Sequence, residues 1–366
     1  MSTIWVLGAG QLGAMLKQAA NPLGLDVRPV DIETDEILPL AENDIVTAER
    51  EEWPVTAATK QLSTHGNFVN LQTFPQLADR LTQKQWLDTL ELATSPWFPV
   101  EQDSTAEQFH QTLGDRVLLK RRRGGYDGKG QHWLIRPSNN QLDDSSNRSK
   151  IPDDWKGQAI AEQGIPFDEE VSLVGVRGKN GETYFYPLTL NLHINGILYA
   201  SIAPLKRLDA LQTKAEKMLT KLMDALDYVG VMAMECFRIG DELLINELAP
   251  RVHNSGHWTQ AGASINQFEN HIRAVADLPL APAIIKNQSM MINLIGVPVD
   301  YNWLSISGLE LYWYKKEVRV GRKVGHINMC ADGRSSFINA LEALDSLPEP
   351  YPQALAWLQA NLPTTS

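Results

Sequence analysis

Two strand-like stretches constrain most strongly what this chain can fold into. Residues 231–237 and 243–247 each hold one carboxylate, Glu235 and Glu247, among apolar neighbours, and Pro250 stops the second stretch. An ionised carboxylate in such surroundings is costly unless a positive group meets it. The polar residues that follow, Arg251, His253, Asn254 and His257, therefore fall at a strand end, where sites are commonly built. Two carboxylates on neighbouring strands suit a divalent metal with oxygen ligands. The alternative is a pair bonded to Arg251 or to backbone. Alternation puts Leu243, Ile245 and Glu247 on one face, so register decides between the readings. A two-residue turn at Gly240-Asp241 sets Glu235 opposite Asn246, whereas a three-residue turn or a bulge sets it opposite Glu247.

At 366 residues the chain exceeds what one hydrophobic core usually serves, so two or three domains are expected. A net charge of −11 argues against a partner made of nucleic acid or an anionic membrane surface. Two cysteines, Cys236 and Cys330, make neither a disulfide framework nor a zinc knuckle. The N-terminus lacks a signal-peptide pattern, and the apolar run 290–299 is too short to span a bilayer, so a cytoplasmic protein is expected.

The first region alternates strand (4–7), helix (11–20) and strands near 26–30, 44–48 and 68–70, which predicts a parallel α/β domain. Its Gly8-Ala-Gly10-Gln-Leu-Gly13 matches a dinucleotide fingerprint, with Asp31 at ribose-contact distance. Three readings stay open: NAD, contact with an anionic substrate, or a purely structural turn. Helices are predicted over 79–90, 106–113 and 213–227. Strands are predicted over 117–122, 131–135, 159–163 and 170–176, and β-rich stretches then two helices end the chain. The Ser-, Asn- and Asp-rich segment 137–156 reads as a surface loop.

Between two of these strands lies Arg121-Arg-Arg-Gly-Gly-Tyr-Asp-Gly-Lys-Gly130, four glycines in seven residues, with Lys120 just before it. Such a loop lets backbone amides approach phosphates closely, though a solvated hairpin is the bland alternative. A second basic island runs from Lys315 to His326 and could hold a phosphate monoester. Glu162-Gln-Gly-Ile165 could offer backbone groups to adenine, and Glu170 could accept from ribose hydroxyls.

In this order the pieces resemble the ATP-grasp superfamily. More narrowly, Arg80-Leu-Thr-Gln-Lys, Gly124-Gly-Tyr-Asp-Gly-Lys-Gly, Glu162-Gln-Gly and Ala249-Pro-Arg-Val-His-Asn-Ser-Gly-His resemble the 5-(carboxyamino)imidazole ribonucleotide synthetase family of purine biosynthesis. The resemblance implies α/β and α+β architecture: a Rossmann-like parallel-sheet domain (1–95), an ATP-grasp domain (96–280, lid about 96–166) and a small β-rich C-terminal domain (281–366). It implies ATP contacts from Arg80, Lys120, Gly125, Tyr126, Asp127, Gly128, Lys129, Gly130, Gln131, Glu162, Gln163, Gly164, Ile165, Glu170, His193, Asn246 and Glu247. Glu235 and Glu247 would hold Mg²⁺ or Mn²⁺. Arg251, His253 and Asn254 would line the bicarbonate region, with Asp127 as the base. Glu49, Tyr126, Asp127, Lys129, Lys316 and Arg322 would surround 5-aminoimidazole ribonucleotide. The glycine turn would serve that substrate side, and NAD falls away.

The implied activity joins bicarbonate to the ribonucleotide's amine at the expense of ATP, through carboxyphosphate, in a cytosolic homodimer. Three positions depart from the family pattern: Arg50 where an aliphatic residue is expected, Val320 where proline is frequent, and Ala249 where other ATP-grasp enzymes carry a metal-binding asparagine. The rival readings are a formate-dependent formyltransferase, which a Gly-Lys-Ser-Ser type loop would favour, a nucleotide sensor without turnover, and a nicotinamide dehydrogenase.

Overall fold

The computed structural model describes residues 2–125, 128–136 and 150–362. Among them the strands form three sheets. Strands β1 (Ile4–Leu7), β2 (Val27–Val30) and β3 (Ile45–Ala48) make a parallel sheet in the order β2-β1-β3. Residues 68–70, expected as a further strand, contribute only a bridge between Phe68 and Val46. Asn70 ends the stretch in the left-handed region at φ 65°, and its side-chain amide accepts from Val229 N and donates to Val229 O.

The second sheet is antiparallel, built from β4 (Trp97–Val100), β5 (Arg116–Arg121), β6 (Gln131–Ile135) and β7 (Ala159–Gln163) in the order β4-β7-β5-β6. Helix Ala106–Leu113 covers it, started by a capping box in which Thr105 and Gln108 bond each other's backbone.

The large sheet comprises β8 (Glu169–Arg177), β9 (Thr183–Phe185), β10 (Thr189–Ile194), β11 (Ile197–Ala203), β12 (Gly230–Ile239), β13 (Glu242–Ala249), β14 (Ser289–Ile295), β15 (Leu309–Trp313) and β16 (Lys323–Cys330). Its path is β13-β12-β8-β10-β11-β14-β16-β15, with β9 beside β8. The strands of segment 281–366 thus extend the central sheet through the pairing of β14 with β11.

Period-two alternation sends the two faces into different cores. Leu173, Met232 and Met234 face helix Asp209–Ala225 through Leu211, Leu219 and Leu222. Val174, Val231 and Ala233 face helix Gln267–Val275 through Phe268 and Ile272. Helix Asp209–Ala225 starts earlier than the expected 213 because a short 3₁₀ turn, Lys206–Leu208, leads into it. No helix among the described residues is long and apolar enough to cross a membrane.

Candidate active site

The three sheets enclose one cavity of about 900 Å³, lined from all of them. Its floor is the β12–β13 pair. Ile239 pairs with Glu242, so the turn has two residues, yet Glu235 stands opposite Glu247 because Asn246 is an extra residue bulged out of β13. The bulge also overturns the expected face pattern. Leu243 and Ile245 remain in the core beneath helix Asp209–Ala225, whereas Ala249, two residues past Glu247, belongs to the opposite core with Ala233. One inserted residue reverses the alternation, and both carboxylates reach the cavity.

Burial, and the carboxylates of Glu247 and Glu170 nearby, push Glu235 up to about 7 despite His193. Glu247 has Arg80 as its cation, while the raised Glu235 pKa reports a carboxylate whose charge is not fully met, the condition a divalent cation relieves. Among the described residues no group of three or more His, Cys, Asp or Glu side chains forms a metal cage. Mg²⁺ needs none, since it keeps waters and substrate phosphates beside one or two carboxylates. The two carboxylates therefore fit such an ion.

Arg80 crosses the cavity edge. Its guanidinium donates to Glu247 Oε1 at 3.1 Å, Gly125 O at 3.1 Å and Arg121 O at 3.2 Å, tying the glycine loop to the acidic floor. A Cβ on Gly125 would meet Arg80 at 3.0 Å, and one on Gly128 would lie 2.6 Å from Asn195 O at the β10–β11 turn. Gly128 approaches that turn as closely as only glycine permits. Opposite, Lys120 donates to Asn246 Oδ1 at 2.7 Å and pairs with Glu162 Oε2 at 2.6 Å. Glu170 and His193 pair at 2.9 Å, and although burial opposes charge on the ring, Glu170 raises its pKa above the ordinary value.

Beyond β13, Arg251 pairs through Nε with Glu51 of the first domain at 2.9 Å. His253 Nε2 lies 3.7 Å from Glu235, and its Nδ1 contacts Ser255 Oγ at 2.9 Å. Burial, then the Arg251 charge, hold this imidazole well below its usual pKa, so it is neutral. Asn254 lines the same wall, and among the described residues neither polar atom of its side chain has a hydrogen-bond partner.

Of the sequence-predicted residues, Arg80, Lys120, Gly125, Gly128, Lys129, Gln131, Glu170, His193, Asn246, Glu247, Glu235, Arg251, His253, Asn254 and Glu49 all line this cavity. Tyr126 and Asp127 lie outside the described residues. The structure places the others elsewhere. Glu162, Gln163, Gly164, Ile165 and Gly130 are not in the lining. The Glu162 carboxylate is consumed by two lysines, and the amides of Gln163 and Gly164 donate to Pro96 O and Arg116 O. Gly130 accepts from Arg121 N to close the loop. Lys316 and Arg322 also stand outside the lining. Lys316 donates to Gln11, and exposed Arg322 reaches Glu317 O at 3.5 Å.

The glycine turn of the first domain holds its own carboxylate. Glu49 accepts from Gly10 N at 2.6 Å and from Gly13 N, and a Cβ on Gly8 would collide with the Glu49 side chain. The amides that bind pyrophosphate in a dinucleotide site are occupied here. Arg50 is exposed at the cavity rim and Val320 is fully exposed, so neither departure disturbs core packing.

Sequence reasoning missed several lining residues. Lys323, one position beyond Arg322, lines the cavity. Phe167 and Phe237 stack at 4.5 Å and 13°, and with Leu118 and Trp133 they give the cavity an apolar end. Lys323 belongs to the basic island 315–326, but no pattern announced the four apolar residues, which come from three separate strands and a loop.

Parallel glycine-turn domain, closed antiparallel lid and a bulged acidic floor together define an ATP-grasp protein, and residues 85–268 match the ATP-grasp domain family. Residues 289–340 match the phosphoribosylaminoimidazole carboxylase C-terminal domain. The chain belongs to the N5-carboxyaminoimidazole ribonucleotide synthase family. It is 50% identical over 362 residues to the synthase of that name from Escherichia coli, covering 99% of both chains. The crystal structure of N5-carboxyaminoimidazole ribonucleotide synthetase from Thermus thermophilus is similar with TM-score 0.81 and 40% identity, over 94% of this chain and 99% of that one. The Aspergillus clavatus synthase in complex with ADP and 5-aminoimidazole ribonucleotide is similar with TM-score 0.78 and 25% identity, over 94% and 99% of the two chains.

Proposed function

We propose that the cavity binds ATP, bicarbonate and 5-aminoimidazole ribonucleotide and joins the last two, yielding N5-carboxyaminoimidazole ribonucleotide, ADP and phosphate. One observation carries the reading: Glu235 and Glu247 oppose each other on one wall of a cavity whose facing wall presents Lys120 and the glycine loop.

The apolar end made by Phe237, Leu118 and Trp133 suits adenine, and Glu170 beside it suits the ribose hydroxyls. Lys120 and the glycine-loop amides face the phosphates. Glu235 and Glu247 would hold Mg²⁺, which when bound would supply charge neutralisation to the nucleotide phosphates. A bicarbonate oxygen attacks the γ-phosphorus, the bond to the ADP oxygen breaks, and carboxyphosphate results. Arg251 and Asn254 orient the bicarbonate, and the neutral His253 ring shapes the wall without adding charge. Carboxyphosphate splits into phosphate and CO₂ beside the exocyclic amine. The amine nitrogen bonds the carbon and loses one proton to a base, for which Asp127 is the candidate. The closed loop keeps water from carboxyphosphate.

On the substrate side, Lys323 faces the cavity, while Lys316 acts through Gln11 and Arg322 lies outside the lining. A cytoplasmic homodimer and the three-domain division belong to the same reading. The direct test is ADP release with bicarbonate, with and without aminoimidazole ribonucleotide. Release that ignores both co-substrates would defeat the proposal.

A further inference from the structure

Lys84 lies in helix Arg80–Thr89, is 2% exposed, and does not line the cavity. Its ammonium donates to Thr94 Oγ1 at 2.5 Å and pairs with Glu162 Oε1 at 2.8 Å. Thr94 Oγ1 in turn donates to Ile245 O at 2.6 Å. On the other oxygen of Glu162 sits Lys120, at 2.6 Å, which also donates to Asn246 Oδ1. The chain of contacts leaves β13 at Ile245 and returns to it at Asn246, the bulged residue next to Glu247.

The charge count is what makes this arrangement informative. A single carboxylate needs one ammonium for neutrality, and Glu162 has two. Burial raises the pKa of its carboxyl, but Lys120 and Lys84 more than reverse this and hold it at about 2, so it is ionised. Burying a second ammonium is unfavourable: desolvation, followed by the Lys120 charge, lowers the Lys84 pKa, with Glu162 opposing. A neutral side chain of similar length would pack the same space at less cost. With Lys84 present, the triad carries one net positive charge. Without it, Lys120 and Glu162 would form a neutral pair turned inward.

We infer that Lys84 is a positioning residue for the nucleotide: by sharing Glu162 it leaves Lys120 with net positive charge toward the cavity and anchors both sides of the Asn246 bulge. This rests on the reading of Lys120 as a phosphate contact. Lys84 itself touches no substrate.

The test is calorimetric titration with ADP, which binds without turnover, alongside thermal melting. Lys84→Gln keeps a donor for Thr94 and Glu162 but no charge, and Lys84→Met removes both. Each is expected to weaken ADP binding by about 10-fold. The ribonucleotide KM should stay within about twofold. The doubly substituted Lys84→Met/Glu162→Gln chain keeps one net positive charge on Lys120, and its affinity for ADP should return to within about threefold of wild type. A folded Lys84→Gln or Lys84→Met chain that binds ADP as wild type does overturns the inference. So does a double variant that is folded yet still binds about 10-fold more weakly, which decides the matter even where both single variants fail to fold. Lys120→Met separates the two readings. If it leaves ADP binding unchanged, the phosphate contact itself is wrong. If it weakens binding while the Lys84 variants do not, only the inference about Lys84 fails.

Discussion

Glu235 and Glu247 face each other across β12 and β13 although only Gly240 and Asp241 turn the chain between those strands. The two-residue turn alone would pair Glu235 with Asn246. The extra residue in β13 moves Glu247 into register, and Asn246 is held in its bulged position by Lys120. The acidic floor thus depends on a contact from the lid sheet.

Glu247→Gln should abolish metal-dependent ADP formation and leave the fold intact, because it removes charge at a site and no packing. Glu247 is about half-exposed, so melting should change little. ADP release with bicarbonate and Mg²⁺ checks it, and unchanged turnover would make Glu247 structural only.

Glu51→Gln should lower kcat while leaving the ATP KM nearly constant. Its carboxylate, from the segment after β3, pairs with Arg251, and removing it leaves the guanidinium held by Val252 O alone among these contacts. A loss of about 1.5–3 kcal/mol in transition-state stabilisation, or roughly 10- to 150-fold in kcat/KM for bicarbonate, is expected. Bicarbonate titrations at saturating ATP measure this, and a shift confined to the ATP KM would place Arg251 on the nucleotide.

Lys323→Ala should raise the KM for aminoimidazole ribonucleotide by roughly 10-fold or more, the effect of losing one charged contact. Arg322→Ala should have the smaller effect, since its guanidinium is exposed and outside the cavity lining. Titrating each substrate separately distinguishes the two, and the reverse order of effects would mean that the turn around Gly321 folds inward over substrate.

Stability should fall as the solution is acidified from about pH 6.5 towards pH 4. Burial lowers the His271 pKa to about 4, below the 6.5 of the unfolded chain. Val231 N donates to its Nδ1, so Nε2 carries the proton and donates to Thr47 Oγ1 of the first domain. Between these pH values the unfolded state binds the extra proton. The stabilisation is therefore complete above 6.5 and is lost as pH falls through the folded value, on the order of 3 to 4 kcal/mol in all. His257, lowered to about 3 by burial and then by Lys323 and Arg251, adds to the same slope. Melting temperatures across this range should fall less steeply for His271→Gln than for wild type. Parallel curves would show that His271 does not contribute.

The sequence by itself determined the elements and most of the chemistry. Local signals such as glycines between two strands are carried by neighbouring residues, and helix 106–113 and strands 131–135 and 159–163 fold where they were expected. The family strings brought Arg80, Lys120, Glu235, Arg251 and Asn254 forward, and all line one cavity. Tertiary structure decided what depends on distant partners. Nothing near Asn246 in the chain specifies a bulge, which depends on Lys120 from the lid sheet. Nothing around Gly10 says that Glu49, thirty-nine residues on, will take its amide. Nothing near Glu162 in the chain says that its carboxylate will meet two buried ammoniums. Backbone propensity and side-chain alternation act over a few residues, whereas charge in a low-dielectric interior is governed by whichever groups the fold brings within a few ångströms.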